Sequence, residues 1–239
     1  MTEMEPVWVV IPAAGVGARM VADRPKQYLS LAGRTVLEHS VNSFSHHPLV
    51  CGIVVAVALE DAYWPELELQ SSVPLHCVPG GEDRAHSVLN ALNFLAALMQ
   101  IGAHDPWVLV HDAARPCVRR EDIDLLLARL HDDPVGGLLG VPVRDTMKRA
   151  DDVGLIVRTE PRAGLWHALT PQMFRLQHLQ SSLQRALDQG VSVTDESSAI
   201  EFAGRVPRLI EGHADNIKIT RPEDLALAEF YLQQREVAL

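Results

Sequence analysis

VWVVIPAAGVGARM, the stretch at residues 7–20, joins an apolar run of strand length to a loop of small residues. Further short apolar runs follow at residues 53–59, 75–78, 107–111 and 138–141. Runs that are rich in Val, Ile and Leu, without polar alternation, are typical of strands buried on both faces of a parallel sheet. We therefore predict that these segments form one sheet.

Segments with helical periodicity separate and follow the predicted strands. Apolar side chains recur at helical spacing within residues 87–99, 123–130, 171–189 and 220–234. Thr220, with Glu223 after it, resembles a capping box that begins the last of these helices. Strands that alternate with helices imply right-handed crossovers, so we predict an α/β fold, a three-layer sandwich around a mostly parallel sheet.

One polar excursion interrupts this alternation. Residues 141–164 mix β-branched side chains with charged ones such as Arg144, Lys148 and Arg158, and they show no helical stripe. Such a segment fits either a β-arm that leaves the domain towards a partner subunit or a surface loop. No linker or repeat divides the rest, so we predict a single domain, residues 1–239, with 141–164 as its arm.

The charge balance restricts the possible ligands. The chain has 239 residues, and its 21 Lys and Arg against 31 Asp and Glu give a formal net charge of −10. Nucleic acids and anionic membranes attract positively charged surfaces, so we expect this chain to bind neither of them. An anionic ligand must therefore be held by a local cluster of Arg and Lys.

Cysteine usage and the N-terminal residues predict a cytoplasmic protein. The three widely separated cysteines, Cys51, Cys77 and Cys117, do not suggest a disulfide framework. The first residues include two glutamates and lack the apolar segment that a signal peptide needs. No stretch approaches the roughly 18 apolar residues that span a bilayer.

The loop at residues 12–20 is the first candidate binding site. Small residues allow a backbone to approach a phosphate closely, and successive N–H groups can form a concavity that binds anions. The Walker and dinucleotide-binding glycine patterns are absent, but Arg19 and Lys26 would add two cations in or near the loop. The alternative is a tight connection that binds nothing.

Asp112 marks a second candidate site, just after the predicted strand at residues 107–111. In open α/β sheets, ligands bind beyond the carboxyl ends of the strands. There the Asp112 carboxylate could hold Mg²⁺ while the metal bridges phosphates, and Arg115 could grip another phosphate. Alternatively, Asp112 caps a helix and forms a structural salt bridge with Arg115.

Two other segments place polar groups where a ligand could use them. Residues 80–87 form a glycine turn before a helix, where backbone groups and the Ser87 hydroxyl could contact the edge of a base. Lys218 stands between two isoleucines and needs an anionic partner if it faces inwards. The respective alternatives are a plain strand–helix turn and a strand residue that points outwards.

Eight motifs, taken in their order along the chain, resemble one enzyme family. They lie at residues 12–20, 25–28 (PKQY), 80–87, 111–116, 142–148 (PVRDTMK), 166–172, 194–196 (TDE) and 215–224. In this order they are similar to the 2-C-methyl-D-erythritol 4-phosphate cytidylyltransferases of the non-mevalonate isoprenoid pathway. The resemblance extends from about residue 7 to residue 233 and implies a Rossmann-like nucleotidyltransferase sheet with a protruding β-arm.

This resemblance implies a CTP site with catalytic cations. The residues that would bind the nucleotide are Ala13, Ala14, Gly15, Gly17, Gly81, Glu82, Ser87 and Asp112. The cations that would stabilise the attacked phosphate are Arg19, Lys26 and Lys218. Asp112 would also serve Mg²⁺ or another divalent cation. The family often has Asp where this chain has Glu82, which puts base selectivity in doubt if the carboxylate makes the contact.

The resemblance also implies an acceptor site for methylerythritol phosphate that two subunits share. The residues that would hold the acceptor are Arg115, Thr146, Arg162, Thr194 and Asp215. Residues 141–164 would form the dimerisation arm of a homodimer and carry Arg162 to the neighbouring subunit's site. Arg158 is the alternative arm arginine, and Arg162 is preferred because Gly164, Leu165 and Trp166 follow it in register.

The implied reaction transfers CMP from CTP to methylerythritol phosphate and releases pyrophosphate. Its nucleophile is a phosphate oxygen that is already ionised at neutral pH, so His86, His111 and His167 are not assigned the role of general base. Two rival functions stay open. One is cytidylyl transfer to another polyol phosphate such as ribitol 5-phosphate, and the other is an inert nucleotide-binding regulatory domain.

Overall fold

The computed structural model describes residues 4–15, 23–99 and 105–237. Its strands, in chain order, are β1 (Val7–Pro12), β2 (Ser30–Leu31), β3 (Arg34–Thr35), β4 (Val50–Val57), β5 (Leu75–Pro79), β6 (Trp107–Val110), β7 (Gly136–Pro142), β8 (Met147–Ala150), β9 (Ile156–Glu160), β10 (Trp166–Arg175) and β11 (Arg208–Glu211). Its helices are α1 (Val36–Ser45), α2 (Arg84–Leu98), α3 (Arg120–Leu130), α4 (Leu176–Asp188), α5 (Glu196–Phe202) and α6 (Pro222–Val237).

Seven of these strands form the central sheet, in the order β11-β7-β10-β6-β1-β4-β5. Strand β10 runs antiparallel to both of its neighbours, β6 and β7, whereas the other pairings are parallel. Helices α2, α4 and α5 cover one face of the sheet and α1 and α3 the other. The expected three-layer α/β sandwich with a mostly parallel sheet is thereby confirmed.

Burial on both faces explains why the strands contain uninterrupted apolar runs. In β1, the side chains of Val9 and Ile11 pack in the same core cluster as Phe44 of α1, while Val10 packs on the opposite face with Leu92 of α2. Successive strand residues point to opposite faces, so a strand covered by helices on both sides needs apolar residues at every position.

The sequence prediction of a helix over residues 171–189 is wrong in its first part. Residues 171–175 belong to β10, where Met173 and Phe174 are fully buried between β6 and β7. Helix α4 begins only at Leu176. Met173 of β10 and Leu176 of α4 are three positions apart, which is a helical spacing. The apolar period of α4 therefore continues into the end of a buried strand.

The predicted cap of the last helix has a different partner. The Thr220 backbone N–H and hydroxyl both donate to Oδ2 of Asp224, at 2.8 and 2.9 Å, and the Arg221 N–H donates to the same oxygen. We expected Glu223 in this role. Its side chain instead lies 3.9 Å from the Arg221 guanidinium. A carboxylate one position later reaches back over the start of α6.

The polar excursion forms a β-hairpin. Strands β8 and β9 pair in antiparallel fashion as a separate two-stranded sheet. Four apolar side chains in and next to this hairpin are at least 60% exposed, namely Val153, Leu155, Ile156 and Val157. The β-arm, and not an irregular loop, is therefore the structure of this segment. In the described parts of the chain, no helix is long and apolar enough to cross a bilayer.

Candidate functional site

A pocket opens beyond the carboxyl ends of β1, β5 and β6, and we name it the first pocket. Its lining comes from the small-residue loop, the turn before α2, the segment after β6 and two lysines. The described residues that form it are Pro12, Ala13, Ala14, Gly15, Lys26, Gln27, Gly81, Glu82, Asp83, Arg84, Ser87, Asp112, Ala113, Ala114 and Lys218. The fold thus brings together the four motifs that were proposed separately as binding sites from the sequence.

A second pocket shares Lys218 with the first. Its other described lining residues come from the base of the arm, β10 and the segment before α6, and they are Arg115, Val141, Pro142, Arg144, Asp145, His167, Ala168, Leu169, Ala214, Asn216 and Ile217. Because Lys218 borders both spaces, ligands in the two pockets would meet beside its ammonium group.

Gln27 shapes the loop that follows β1. Its side chain is only 3% exposed, and its amide N–H groups donate to the carbonyl oxygens of Ala13, at 2.6 Å, and Gly15, at 3.0 Å. The loop also approaches Gly80 so closely that a Cβ there would lie 2.4 Å from Cβ of Ala14. The sequence alone did not assign a role to Gln27, although its PKQY motif contributes to the family resemblance.

Ser87 and Asp83 hold the turn on the opposite side of the first pocket. The Ser87 hydroxyl accepts a hydrogen bond from the Gly81 N–H, at 3.0 Å, and donates to the Asp83 carbonyl, at 2.8 Å. The Asp83 carboxylate accepts from the His86 N–H and so caps α2. Glu82, which stands between Gly81 and Asp83 in the chain, is exposed and borders the pocket.

Asp112 is buried at the centre of a group of three cations. Arg84 Nε lies 2.8 Å from its Oδ1, while Lys218 Nζ and Arg115 Nε lie 2.9 and 3.3 Å from its Oδ2. Burial alone would raise the pKa of Asp112, but Arg84, Lys218 and Arg115 hold it well below its ordinary value. The carboxylate is therefore ionised at neutral pH.

Arg84 is fixed by a second carboxylate. Its two terminal nitrogens donate to the two oxygens of Glu196, at 2.6 and 3.0 Å. Burial would lower the pKa of Arg84, but Glu196 and Asp112 together raise it above its ordinary value. This pair was not predicted from the sequence, because the two residues are 112 positions apart and no local pattern connects them.

His111 and Thr170 hold the backbone that carries Asp112. The Asp112 N–H donates to Oγ1 of Thr170, at 3.0 Å, and this hydroxyl lies 3.1 Å from Nδ1 of His111. The other ring nitrogen of His111 lies 3.0 Å from the Arg115 carbonyl oxygen. Burial lowers the pKa of His111 to about 4, so a neutral ring donates to that carbonyl and accepts from the Thr170 hydroxyl.

Arg115 occupies the wall of the second pocket. Besides Asp112, it donates to the carbonyl oxygens of Asn216, at 2.7 Å, and Ala168, at 3.4 Å. The salt bridge between Arg115 and Asp112, considered above as the structural alternative, is therefore present. It lies inside the candidate site and links the walls of the two pockets.

Lys26 approaches the segment that carries Lys218. Its ammonium group donates to the Ile219 carbonyl oxygen at 3.0 Å. Lys26 belongs to a 3-10 turn after the small-residue loop, and Lys218 lies just before α6. Both lysines border the first pocket.

Four other residues that the resemblance assigned to the acceptor lie elsewhere. In the described chain, the linings of the two pockets do not include Thr146, Arg162, Thr194 or Asp215. The first three are exposed, and the Arg162 guanidinium donates to the Arg144 carbonyl oxygen of its own chain. Gly17 and Arg19 lie outside the described residues.

Asp215 forms ion pairs with two arginines. Its carboxylate accepts from Arg119 at 2.8 to 3.2 Å and from Arg235 at 2.9 Å. Burial would raise the pKa of Asp215, but hydrogen bonds from Arg119 and Arg235 lower it below its ordinary value. These bonds tie the segment that contains Asn216 and Lys218 to the start of α3 and to α6.

Asp112 is the buried carboxylate that a metal ion would meet in the first pocket. No group of three or more His, Cys, Asp or Glu side chains is arranged to hold a metal in the part of the chain that the structure describes. Mg²⁺, however, is commonly bound through one or two carboxylates while substrate phosphates and water supply the other ligands. The ionised Asp112 carboxylate, which borders the first pocket, fits that mode of binding.

Known proteins with similar sequences point to one family. The family model for 2-C-methyl-D-erythritol 4-phosphate cytidylyltransferase matches residues 7–234. A relative with that name from Pseudomonas putida is 58% identical over 228 residues, which cover 95% of this chain and 94% of the relative. One from Pseudomonas syringae pv. tomato is 56% identical over 236 residues and 98% of each chain.

Solved structures of enzymes with the same name have the same fold. The one from Francisella tularensis is 35% identical, with a TM-score of 0.80, and the match covers 95% of this chain and 100% of the other. The one from Thermus thermophilus is 29% identical, with a TM-score of 0.76, and the match covers 94% and 98%. The chain belongs to the 2-C-methyl-D-erythritol 4-phosphate cytidylyltransferase family.

Proposed function

We propose that this chain transfers CMP from CTP to 2-C-methyl-D-erythritol 4-phosphate, as a step of non-mevalonate isoprenoid synthesis. The products are 4-diphosphocytidyl-2-C-methyl-D-erythritol and pyrophosphate. The observation that carries the proposal is the meeting of two pockets at Lys218, with three cations around Asp112 at the junction. The first pocket suits a nucleoside triphosphate, and the second pocket suits a small phosphorylated acceptor.

The first pocket is the proposed CTP site. Backbone groups of the small-residue loop would face the phosphates, with Ala13, Ala14, Gly15 and Gly17 as the residues concerned. Gly81, Glu82 and Ser87 would contact the cytosine base. Because the Ser87 hydroxyl and the Gly81 N–H already bond to each other within the turn, we expect the Gly81 carbonyl and the backbone groups of Glu82 to make most of the base contacts. With such backbone recognition, base selectivity would not depend on the Glu82 side chain.

The second pocket is the proposed acceptor site. The phosphate of the acceptor would pair with Lys218 and Arg115, and its hydroxyl groups would face the polar wall formed by Arg144, Asp145 and Asn216. Thr146 and Thr194 belong to the motifs at residues 142–148 and 194–196. We propose that they contact the acceptor in the site that two subunits share. Asp215 would support the site without touching the acceptor.

The reaction needs no general base. An ionised phosphate oxygen of the acceptor forms a bond to the α-phosphorus of CTP, and the bond from that phosphorus to the bridging oxygen of the β-phosphate breaks, so pyrophosphate leaves with the electron pair. Repulsion between two anions and charge developing on the α-phosphate oppose this step. Lys26, Lys218 and Arg19 would counter both effects by holding the anions in line and stabilising the developing charge.

A divalent metal ion is general among nucleotidyltransferases, and we propose Mg²⁺ for this enzyme. When bound, the ion would neutralise part of the triphosphate charge. Asp112 is the residue that would hold it. For Oδ2 of Asp112 to become available, Lys218 would have to turn from this carboxylate towards the phosphates, which is where its charge is needed.

The working form is proposed to be a cytoplasmic homodimer joined by the 141–164 arm. Exposed apolar side chains on the arm, such as Ile156 and Val157, would be covered by a second copy. Arg162 would then reach the partner's acceptor site. The free thiols of Cys51, Cys77 and Cys117 suit a reducing compartment.

Pyrophosphate release tests the function directly. Purified protein with Mg²⁺, CTP and methylerythritol phosphate should release pyrophosphate, whereas replacing CTP by ATP, GTP or UTP should abolish most of the signal. Release with ribitol 5-phosphate in place of methylerythritol phosphate would instead support the rival polyol. Binding of CTP without release from any acceptor would support the regulatory domain and contradict the proposal.

A further inference from the structure

The two carboxylate oxygens of Asp112 have different kinds of partner. Oδ1 accepts from Nε of Arg84 at 2.8 Å, and Arg84 is itself fixed elsewhere. Oδ2 accepts from Lys218, whose side chain is 36% exposed and borders both pockets, and from the more distant Arg115. One oxygen is therefore bound to a clamped cation and the other to a cation that faces the substrates.

Glu196 clamps Arg84 from outside the substrate pockets. It stands in the first turn of α5 and is 1% exposed, and within the described chain it lines neither pocket. Both of its oxygens accept from the terminal nitrogens of Arg84, a bidentate geometry that fixes the plane of the guanidinium. That plane in turn directs Nε at Asp112.

Without this clamp, Arg84 would be free to follow an incoming anion. Arg84 borders the first pocket, so the triphosphate would attract its positive charge away from Asp112. The Glu196 carboxylate balances the charge of Arg84 and keeps the guanidinium in place. Lys218 forms an ion pair with no second carboxylate of the described chain, so it is the cation that can exchange Asp112 for phosphate.

We propose that Glu196 is a positioning residue for the transfer reaction: through Arg84 it immobilises Oδ1 of Asp112, so that only Oδ2 exchanges its partner, Lys218, when the triphosphate enters. The inference rests on the proposed function, because it assigns the exchange to the binding of CTP. The reaction would then depend on Glu196, a residue that lies outside the two substrate pockets.

Glu196→Gln tests this role, with Glu201→Gln as the matched control. Both glutamates lie on α5, and Glu201 is exposed. Glutamine keeps the size of the side chain but turns an N–H group towards Arg84. We expect the Glu196 variant to lose about 10–100-fold in kcat, the range seen when partners that orient a ligating group are removed. The Glu201 variant should match wild type, and thermal melting identifies any loss caused by unfolding.

Calorimetric titration with CTP provides a readout that a merely structural role would not change. Without Mg²⁺, CTP should bind the Glu196 variant within about threefold of wild type, since the loop contacts persist. With Mg²⁺, wild type should bind CTP more tightly, and the variant should lose most of that gain because Asp112 is no longer held in one orientation. An equal gain in both proteins would overturn the proposal.

A double variant separates this effect from others. If Glu196 acts only through Arg84, then adding Glu196→Gln to Arg84→Lys should lower kcat no further than Arg84→Lys alone. Independent losses that multiply would contradict the proposed path. Wild-type turnover, measured in the same assay, separates a failure of the proposed function from a failure of this inference. If wild type does not turn over, the proposed function is refuted. If the folded Glu196 variant has the kcat of wild type, only the role of Glu196 is refuted.

Discussion

Nζ of Lys218 lies 2.9 Å from Oδ2 of Asp112, at the place where the two pockets of the site meet. Lys26 reaches the same segment from another element and donates to the carbonyl oxygen of Ile219. One lysine and two arginines thus contact one buried carboxylate, and a second lysine borders the same pocket, in a chain whose formal net charge is −10. The positive charge needed for phosphate chemistry is concentrated at one point.

Asp215 and Arg235 should behave as one structural unit. Replacing either residue, as Asp215→Asn or Arg235→Met, removes a hydrogen-bonded ion pair and should lower the free energy of unfolding by about 1–3 kcal/mol. Both variants should also lower turnover in similar proportion, because both loosen the segment that carries Lys218. Urea unfolding and steady-state kinetics measure the two effects.

The opposite pattern would restore a direct role for Asp215 in binding the acceptor. In that case Asp215→Asn would raise the KM for methylerythritol phosphate at least tenfold while stability stays near wild type, and Arg235→Met would leave KM unchanged. Arg129→Met, which removes an exposed arginine from α3, controls for the loss of a positive charge.

His111 should make the fold sensitive to mild acid. Its pKa is about 4 in the folded protein and near 6.5 when unfolded, so between these values the unfolded chain binds more protons. The stability contribution is complete above pH 6.5 and is lost as the pH falls towards 4. The expected loss from this residue is about 3 kcal/mol, measured by urea unfolding between pH 7 and pH 4.

A His111→Asn variant isolates this contribution. The variant is expected to be less stable at pH 7, because the bond to the Arg115 carbonyl is disturbed, but its stability should fall less steeply towards pH 4. His46→Asn, at an exposed position, should keep the wild-type slope. Equal slopes in wild type and the His111 variant would show that the buried ring is not the group responsible. Asp112 does not affect this comparison, because its pKa is lowered and its effect on the free energy of unfolding therefore changes only at lower pH.

Mixed dimers test whether the arm completes the neighbouring site. Arg162→Met and Lys26→Met should each have little activity alone. When the two are mixed and allowed to exchange subunits, one site in each heterodimer has both residues intact, so about a quarter of wild-type activity should return. Activity that merely equals the sum of the separate variants would show that Arg162 does not serve the partner's site.

The sequence was sufficient to predict the parallel core and the three glycine-rich or acidic loops at its edge. Strands such as β1 and β6 are buried on both faces, so their apolar runs were visible without any tertiary information. Strand β11 was not, because only Ile210 of its four residues is buried. The helical period of α4 also extends over residues 171–175, so it predicts a helix for the second half of strand β10.

The candidate site was predicted as separate motifs, while the connections between them came only from the structure. The clamp of Glu196 on Arg84 joins the starts of two helices that are far apart in sequence, and Gln27 organises a loop from outside it. Asp215 stands next to two pocket residues, yet its side chain points to Arg119 and Arg235. Asp215 lies in a turn, and both of its neighbours, Ala214 and Asn216, line the second pocket, so no periodic pattern in the sequence could tell that its own side chain faces the two arginines.

The most direct test of the account is the rate of the chemical step in Lys218→Met. Single-turnover quenching with labelled CTP, Mg²⁺ and methylerythritol phosphate measures the rate of CMP transfer separately from product release. We predict that this rate falls by about 10²–10³-fold, because the lost cation acts on charge that develops in the transition state. CTP affinity should change far less. A single-turnover rate within a few-fold of wild type would contradict the central role of Lys218.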